Sequence, residues 1–243
     1  LSNVTYTGTE QMWNDISKQE GNSCLEIASL TCTEEFTEVP TETVEVAASE
    51  AANTIAGLSG RNSVIVTGYC SSETVSDIGN ALEENYNAQI FLDLSDVNGV
   101  TSIPQEAFAN NSSLVEITLP DGVTTIERWC FSDCGKLQSI TIPASVELIE
   151  NGAFAGCSKL TNIVIEDGNG TFTVNNGAIY TEGGTTLVAY PSASGDITID
   201  RSITKIEDAA FNGSDITSVT IPSSVTEIGW SAYEDRNLDY FKK

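Results

Sequence analysis

The chain has 243 residues, 40% of them hydrophobic and 19% charged, which is enough length and apolar content for a sizeable core and unlike a disordered segment. Thirty-five acidic side chains against ten basic ones give a net charge of −25 at pH 7, a field that repels phosphate backbones and anionic lipid and excludes nucleic-acid binding. No apolar run reaches the roughly 18 residues of a membrane-spanning helix, and with no histidine the chain can build neither a Ser-His nor a Cys-His pair.

The charge is uneven. Residues 1–127 hold 20 acidic residues and two basic ones, Lys18 and Arg61, whereas the remainder holds 15 against 8. Solubility and counter-ions are the bland account of this excess; steering of a basic partner is the sharper one. No charged n-region followed by an apolar stretch opens the chain, and its first residue is Leu1, so a signal or anchor is expected to lie outside it.

Residues 1–60 read as an N-terminal α/β region of unassigned role. Thr7-Gly-Thr-Glu10 offers a capping box, and Met12, Trp13 and Ile16 make a short helical stripe through about Lys18. Residues 24–32 are apolar enough for a strand. Residues 33–46, rich in Glu and Thr with Pro40 inside, read as a loop or edge strand. Ala47–Leu58 reads as a helix.

Residues 61–98 read as a strand–helix–strand cap. Val64-Ile-Val66 is a strand, Ser72 caps a helix whose Val75, Ile78, Leu82 and Tyr86 share one face, and Leu92-Asp-Leu-Ser95 returns. A parallel return fits a crossover unit. Such a unit would close the open end of a stacked core, which otherwise exposes apolar side chains.

From residue 99 to 243 the chain repeats itself. Phe108, Phe131 and Phe154 recur at an interval of 23, as do Leu114, Leu137 and Leu160, and Ile117, Ile140 and Ile163. In Leu137-Gln-Ser-Ile-Thr-Ile142 the alternation marks a half-buried strand, which Pro143 ends because it lacks an N–H. Val146 and Ile149 then supply a second inward segment, and Phe154 fills the bottom of the turn. One such turn cannot bury this much apolar surface alone, so it must stack on its neighbours. A longer rung is expected at about 161–195, with Gly183-Gly184 as a hairpin turn. The pattern returns at Ile197-Thr-Ile199 with Phe211, and at Ile216–Pro222 with Tyr233.

The run Ile140-Thr-Ile-Pro143, Val146, Ile149, Ala153-Phe154, Cys157 and Leu160 resembles the BspA-like (treponemal-type) leucine-rich repeat. Asn176-Gly-Ala-Ile-Tyr180 and Thr186-Leu-Val-Ala-Tyr-Pro191 resemble the long rung that such proteins carry. The resemblance covers about 62–238. It implies a β-rich leucine-rich-repeat solenoid, with a parallel sheet, about 23-residue rungs and an α/β N-terminal capping region. It also implies a secreted or surface-anchored bacterial protein associated with adhesion to host proteins or other cells. Trp129 and Cys130 depart from the small residues usual before the Phe.

Constellations that could carry chemistry are few. Asp93 and Asp96 form the obvious carboxylate pair, but an exposed strand position and a polar turn account for them. Glu166-Asp-Gly-Asn-Gly170 lacks the glutamate of a calcium loop at position 12, where Ala178 stands. Asn3, Asn110, Asn111, Asn169 and Asn212 open Asn-x-Ser/Thr triplets, read as ordinary loop residues of a bacterial chain. Of the six cysteines, Cys130, Cys134 and Cys157 read as small buried hydrophobes. Cys24 and Cys32 are a plausible disulfide with Cys70 as rival partner. No catalytic residue, cofactor or metal site is expected.

Function is expected on the exposed strand positions. Aligning the rungs gives one outward column of Phe91, Glu116, Ser139, Asn162, Asp196 and Ser218, and a second of Asp93, Thr118, Thr141, Val164, Thr198 and Thr220. Stacked strands present these as an extended face, the surface through which solenoids bind, although Thr suits strands without any ligand. The leading expectation is a monomeric extracellular or cell-surface protein that binds extracellular or host proteins through this face. A non-binding structural spacer is the alternative, and a carbohydrate-active enzyme with its site in the N-terminal third ranks below both.

Overall fold

The computed structural model describes residues 42–233, together with the backbone of Asn3–Val4, Ser29–Leu30 and Phe241–Lys242. The chain divides into two units, 1–39 and 40–243. In the first, strands β1 (Asn3–Val4) and β2 (Ser29–Leu30) pair in parallel. The helix expected through Lys18, and Cys24 and Cys32, lie outside the described residues.

In the second unit, β3 (Glu42–Ala47), α1 (Ala48–Gly57), β4 (Gly60–Tyr69), α2 (Ser72–Glu84) and β5 (Ala88–Asp93) follow in turn. All three strands are parallel, with Val44 opposite Val64 and Val64 opposite Leu92. The division between the two compact units lies at 39/40, inside the region read as 1–60. Strand β3 and helix α1 cannot be parted from the cap, because β3 hydrogen-bonds along β4 and Ala51 and Ile55 of α1 lie in the same core. Residues 42–47 are an edge strand, pairing with β4 alone.

Helix α2 carries the expected apolar stripe, with Val75, Ile78 and Leu82 fully buried. Two expectations for it fail. The N-cap is Ser71 and not Ser72: the Ser71 Oγ accepts the Thr74 N–H at 3.2 Å, leaving Ser72 as the first helical residue. Tyr86 lies beyond the last turn and is 67% exposed, because the helix stops at Glu84. Asn85 then donates its amide to Ile55 O and Leu58 O at 2.6 and 2.9 Å, satisfying carbonyls at the end of α1.

The solenoid grows directly from this cap. Three rungs pair a long strand with a short one: β5 with β7 (Ser102–Ile103), β8 (Leu114–Thr118) with β9 (Thr125–Ile126), and β10 (Ser139–Ile142) with β11 (Leu148–Ile149). A short strand β6 (Val97–Asn98) sits beside β4. The long strands continue the cap's sheet in the order β12-β10-β8-β5-β4-β3, where β12 is Asn162–Ile165, and the short ones form a second sheet, β11-β9-β7. The aromatic column stacks as expected: Phe108, Phe131 and Phe154 have ring centroids 5.3 and 5.6 Å apart and planes within 6° of parallel. Each ring is at most 2% exposed.

The long rung interrupts this order. After β12 come β13 (Phe172–Asn175), β14 (Ala178–Thr181) and β15 (Thr186–Ala189), antiparallel to one another, with Gly183 and Gly184 turning between the last two at positive φ. Strand β15 then pairs in parallel with β17 (Lys205–Ile206), and β17 with β19 (Glu227–Ile228). A separate sheet holds β16 (Ser194–Thr198), β18 (Asp215–Thr220) and β20 (Phe241–Lys242). The core divides here too. Ile179 belongs to the first hydrophobic cluster and its neighbour Ala178 to the second, so β14 is buried on both faces. The second cluster has its own aromatic stack, Phe211 on Tyr233, with Tyr190 tilted by 43° against Phe211.

Candidate functional site

The candidate surface is built by parallel pairing, which places equivalent residues of successive strands side by side. Phe91 stands opposite Glu116, Glu116 opposite Ser139, and Ser139 opposite Asn162. Asp93, Thr118, Thr141 and Val164 form the neighbouring column in the same way. Their partners one residue away in sequence (Leu92, Ile117, Ile140 and Ile163) point into the core. Glu116, Asn162 and Val164 are exposed, while Phe91, Asp93, Thr118, Ser139 and Thr141 are half-buried. Asn162 donates its amide to the Ser139 hydroxyl at 2.9 Å, and the Asp93 carboxylate accepts the Ser95 N–H at 2.9 Å, which fixes the turn after β5.

The columns do not run on through all six rungs. Asp196 pairs with Ser218, and Thr198 with Thr220, in the separate β16-β18-β20 sheet. There the Asp196 carboxylate accepts the Thr217 and Ser218 hydroxyls at 3.0 and 2.6 Å. The repeat pattern alone would align these four positions with the first eight. The ladder breaks because the long rung diverts its residues into the β13-β14-β15 hairpin, and β16 re-enters through Gly195 at φ 67 with a register shift beside it. Two patches exist where one was expected.

The face extends one strand beyond the outward columns, onto β4. Strand β4 shows no trace of the 23-residue pattern, yet Ser63 lies opposite Phe91 and Ile65 opposite Asp93. The Arg61 guanidinium carbon sits 5.7 Å from the Phe91 ring centroid, a cation–π contact. The Arg61 Nε and Nη2 atoms are buried, so this contact packs the edge of the face. The only signal for these β4 residues in the sequence is the alternation of Val64 and Val66 with their outward neighbours.

Elsewhere the chemistry is sparse. A groove of about 310 Å³ between α2 and the first rung offers Asn80, Glu83, Gln105 and Glu106 but no aromatic platform. Asn169, one of the triplet asparagines, is fully engaged. Its Nδ2 donates to Val146 O at 2.9 Å, and its Oδ1 accepts the Thr171 and Phe172 N–H groups. Cys70, Cys130, Cys134 and Cys157 are free, buried thiols. Cys134 and Cys157 are more than small hydrophobes: each donates its S–H to a carbonyl of the preceding rung, Phe108 O and Phe131 O, at 2.9 Å. Among the described residues no three metal-ligating side chains converge, and no helix is long and apolar enough to cross a membrane.

The fold compares with known repeat proteins. It is similar to a leucine rich cell surface protein from Faecalibacterium prausnitzii, at 20% identity and TM-score 0.52, covering 83% of this chain and 60% of that one. Weaker likenesses are to the pneumococcal vaccine antigen PcpA (18% identity, TM-score 0.45, 64% of this chain and 50% of that one) and to a leucine-rich repeat protein from Eubacterium ventriosum (19%, 0.37, 67% and 62%). The chain thus spans 50% to 62% of the length of these relatives. No curated protein matches it in sequence. The model of the BspA type leucine rich repeat region matches residues 86–194 and 189–242 in six copies. Its two segments meet where the hairpin strands end and the second aromatic stack begins, and the chain belongs to the BspA type leucine rich repeat family.

Proposed function

We propose that this chain is an extracellular or cell-surface interaction protein that binds protein partners, in adhesion to host or matrix surfaces, through the outer face of its larger sheet. One observation carries the reading. Eight outward side chains over β5, β8, β10 and β12 stand side by side on one parallel ladder, with Phe91 and Asp93 at one end, just after the register shift in β5. A rigid face places its contacts at low entropic cost, which is how solenoids hold extended partners. The surface location follows the description of the Faecalibacterium relative as a cell surface protein. The net charge of −25 favours a partner with a basic face and predicts that salt weakens the encounter.

The test is binding of the purified chain to a panel of extracellular-matrix and plasma proteins at low and high salt, repeated with the double variant Thr118→Lys, Thr141→Lys. Both positions are half-buried on the outer face, so the variant should keep its circular dichroism spectrum while losing about tenfold or more in affinity. Saturable binding indifferent to both changes would move the site off this face. No binding to any member of the panel would favour the spacer reading.

A further inference from the structure

Two of the buried thiols are placed for a bond that the chain does not yet contain. Cys134 and Cys157 occupy the same position, three residues after the stacked Phe, in successive rungs. The backbone beside them is laddered directly: Phe131 N–H donates to Ala153 O at 2.8 Å and Asp133 N–H to Ala155 O at 2.7 Å. These segments are stacked turns and not strands, and backbones hydrogen-bonded side by side in this way lie about 4.8 Å apart. That falls inside the roughly 4.4–6.8 Å Cα separation of disulfides, and closing the bond needs the two Cβ atoms drawn to about 3.5–4.5 Å. Both thiols point the same way, each to the Phe carbonyl of the rung before it.

Losing those two S–H donors leaves nothing unsatisfied. Phe108 O also accepts the Asn111 amide at 3.1 Å, and Phe131 O the Cys134 N–H at 3.3 Å. A bond here would therefore exchange two weak donors for a covalent staple without orphaning a buried carbonyl. Burial with Cys134 as neighbour holds the Cys157 thiol well above its ordinary pKa, so in the closed fold it is a poor nucleophile. Exchange belongs to the refolding chain, before the rungs shut.

We propose that Cys134 and Cys157 are an inter-rung disulfide pair, joined when the chain folds in an oxidising medium and stapling the second and third rungs. The oxidant is a low-molecular-weight disulfide. One cysteine thiolate attacks it, releasing one small thiol and forming a mixed disulfide. The second thiolate then displaces the other small thiol, so two protein S–H groups are oxidised and one reagent S–S bond is reduced.

The full chain, denatured and refolded in a reduced and oxidised glutathione buffer, is alkylated and digested with trypsin. Cleavage after Arg128, Lys136 and Lys159 puts Cys134 on peptide 129–136, together with Cys130, and Cys157 on peptide 137–159. The expected result is that most molecules yield these two peptides joined, separated by reductant, with fragmentation placing the bond on Cys134. Cys130→Ala should leave the link in place. Recovery of both peptides alkylated overturns the proposal, as does a bond on Cys130 or pairing of either residue with Cys24, Cys32 or Cys70. Because the wild-type chain gives the answer by itself, misfolding of the variant would not blur it.

Discussion

Two residues before each stacked aromatic the backbone turns left-handed: Glu106, Trp129, Gly152, Ala209 and Ser231 have φ of 58, 56, 72, 56 and 53°. Only one of the five is glycine, although a non-glycine residue there costs roughly 1–2 kcal/mol. Trp129, which departs from the repeat's usual small residue, rests its ring where a Cβ on Gly152 would stand, 2.4 Å away. Two substitutions in this column should therefore act in opposite directions. Exposed Glu106→Gly should raise stability by about 0.5–1 kcal/mol in urea denaturation, the relief being offset in part by a freer unfolded chain. Gly152→Ala should lower it by about 2 kcal/mol or more, through the turn and the Trp129 contact together. The thiols set a second expectation. Burial raises Cys70 to about 11 and pushes Cys130 and Cys157 well up from 9.0. Folding keeps these groups protonated, so their contribution is complete below the unfolded value and declines as pH rises above about 9, where only the unfolded chain ionises freely. Burial of Tyr180 and Tyr233 acts in the same sense at higher pH. The urea midpoint of the reduced protein should fall between pH 8 and pH 10, and four of its six thiols should resist a water-soluble thiol reagent at pH 8. A flat midpoint would mean that water reaches the thiols.

At the scale of elements, α2 and the first rung meet across a glycine. A Cβ on Gly79 would lie 1.6 Å from Ala107 O, while Asn111 and Ser113 of the rung reach back to Gly79 O and Leu82 O at 3.2 and 2.6 Å. The cap is thus seated on the Phe108 layer by close backbone approach and by two buried side-chain donors. Gly79→Ala should force them apart and cost about 3 kcal/mol, comparable to the roughly 3–5 kcal/mol expected for Phe131→Ala, which empties the middle of the aromatic stack. The two should differ in character. Phe131→Ala leaves a cavity and should preserve the cap, whereas Gly79→Ala should raise amide exchange in α1 and α2 ahead of the rungs. Equal protection of both helices in the Gly79→Ala variant would show that the contact yields without loss.

At the scale of the whole molecule, the described residues form two hydrophobic cores that meet at β14 and again between the third rung and the turns around Asp208–Gly213. Across the latter, Gly156 N–H donates to Asn212 O at 2.8 Å, the Asn151 amide to Asp208 Oδ2 at 2.7 Å, and a Cβ on Gly213 would stand 2.5 Å from the Gly156 Cα. Stability in a solenoid is a sum of rungs and of interfaces between them. Gly213→Ala, at φ 74, attacks one interface and leaves both stacks chemically intact. Amides of 197–228 should then exchange faster while those of 88–165 keep their protection, and thermal unfolding should broaden or split. A single sharp transition with uniform loss would mean that the cores fold as one unit.

How much of this was legible depends on whether the information is periodic. The 23-residue columns in Phe, Leu and Ile specify rungs, inward faces and the aromatic stack, because each rung must bury the same side chains against the same neighbours. They also identify the outward columns from Glu116 to Asn162 and from Thr118 to Val164, since a strand's two faces alternate by covalent geometry, while Phe91 and Asp93 extend them one strand further at an interval of 25. Hydrogen bonds between rungs are different. Nothing in one rung states which strand lies beside it, so the sequence placed Asp196, Thr198, Ser218 and Thr220 in columns that the ladder assigns to another sheet. It also missed Arg61, Ser63 and Ile65, carried into the face by a strand without the repeat. The Ser71 cap turned on a single residue of backbone geometry, and the thiol contacts of Cys134 and Cys157 on which carbonyl lies above which side chain. The rungs are a local matter of burial and could be read from the chain itself; their order, their interruption and the residues that share a surface were decided by pairing between distant segments, which only the tertiary structure expresses.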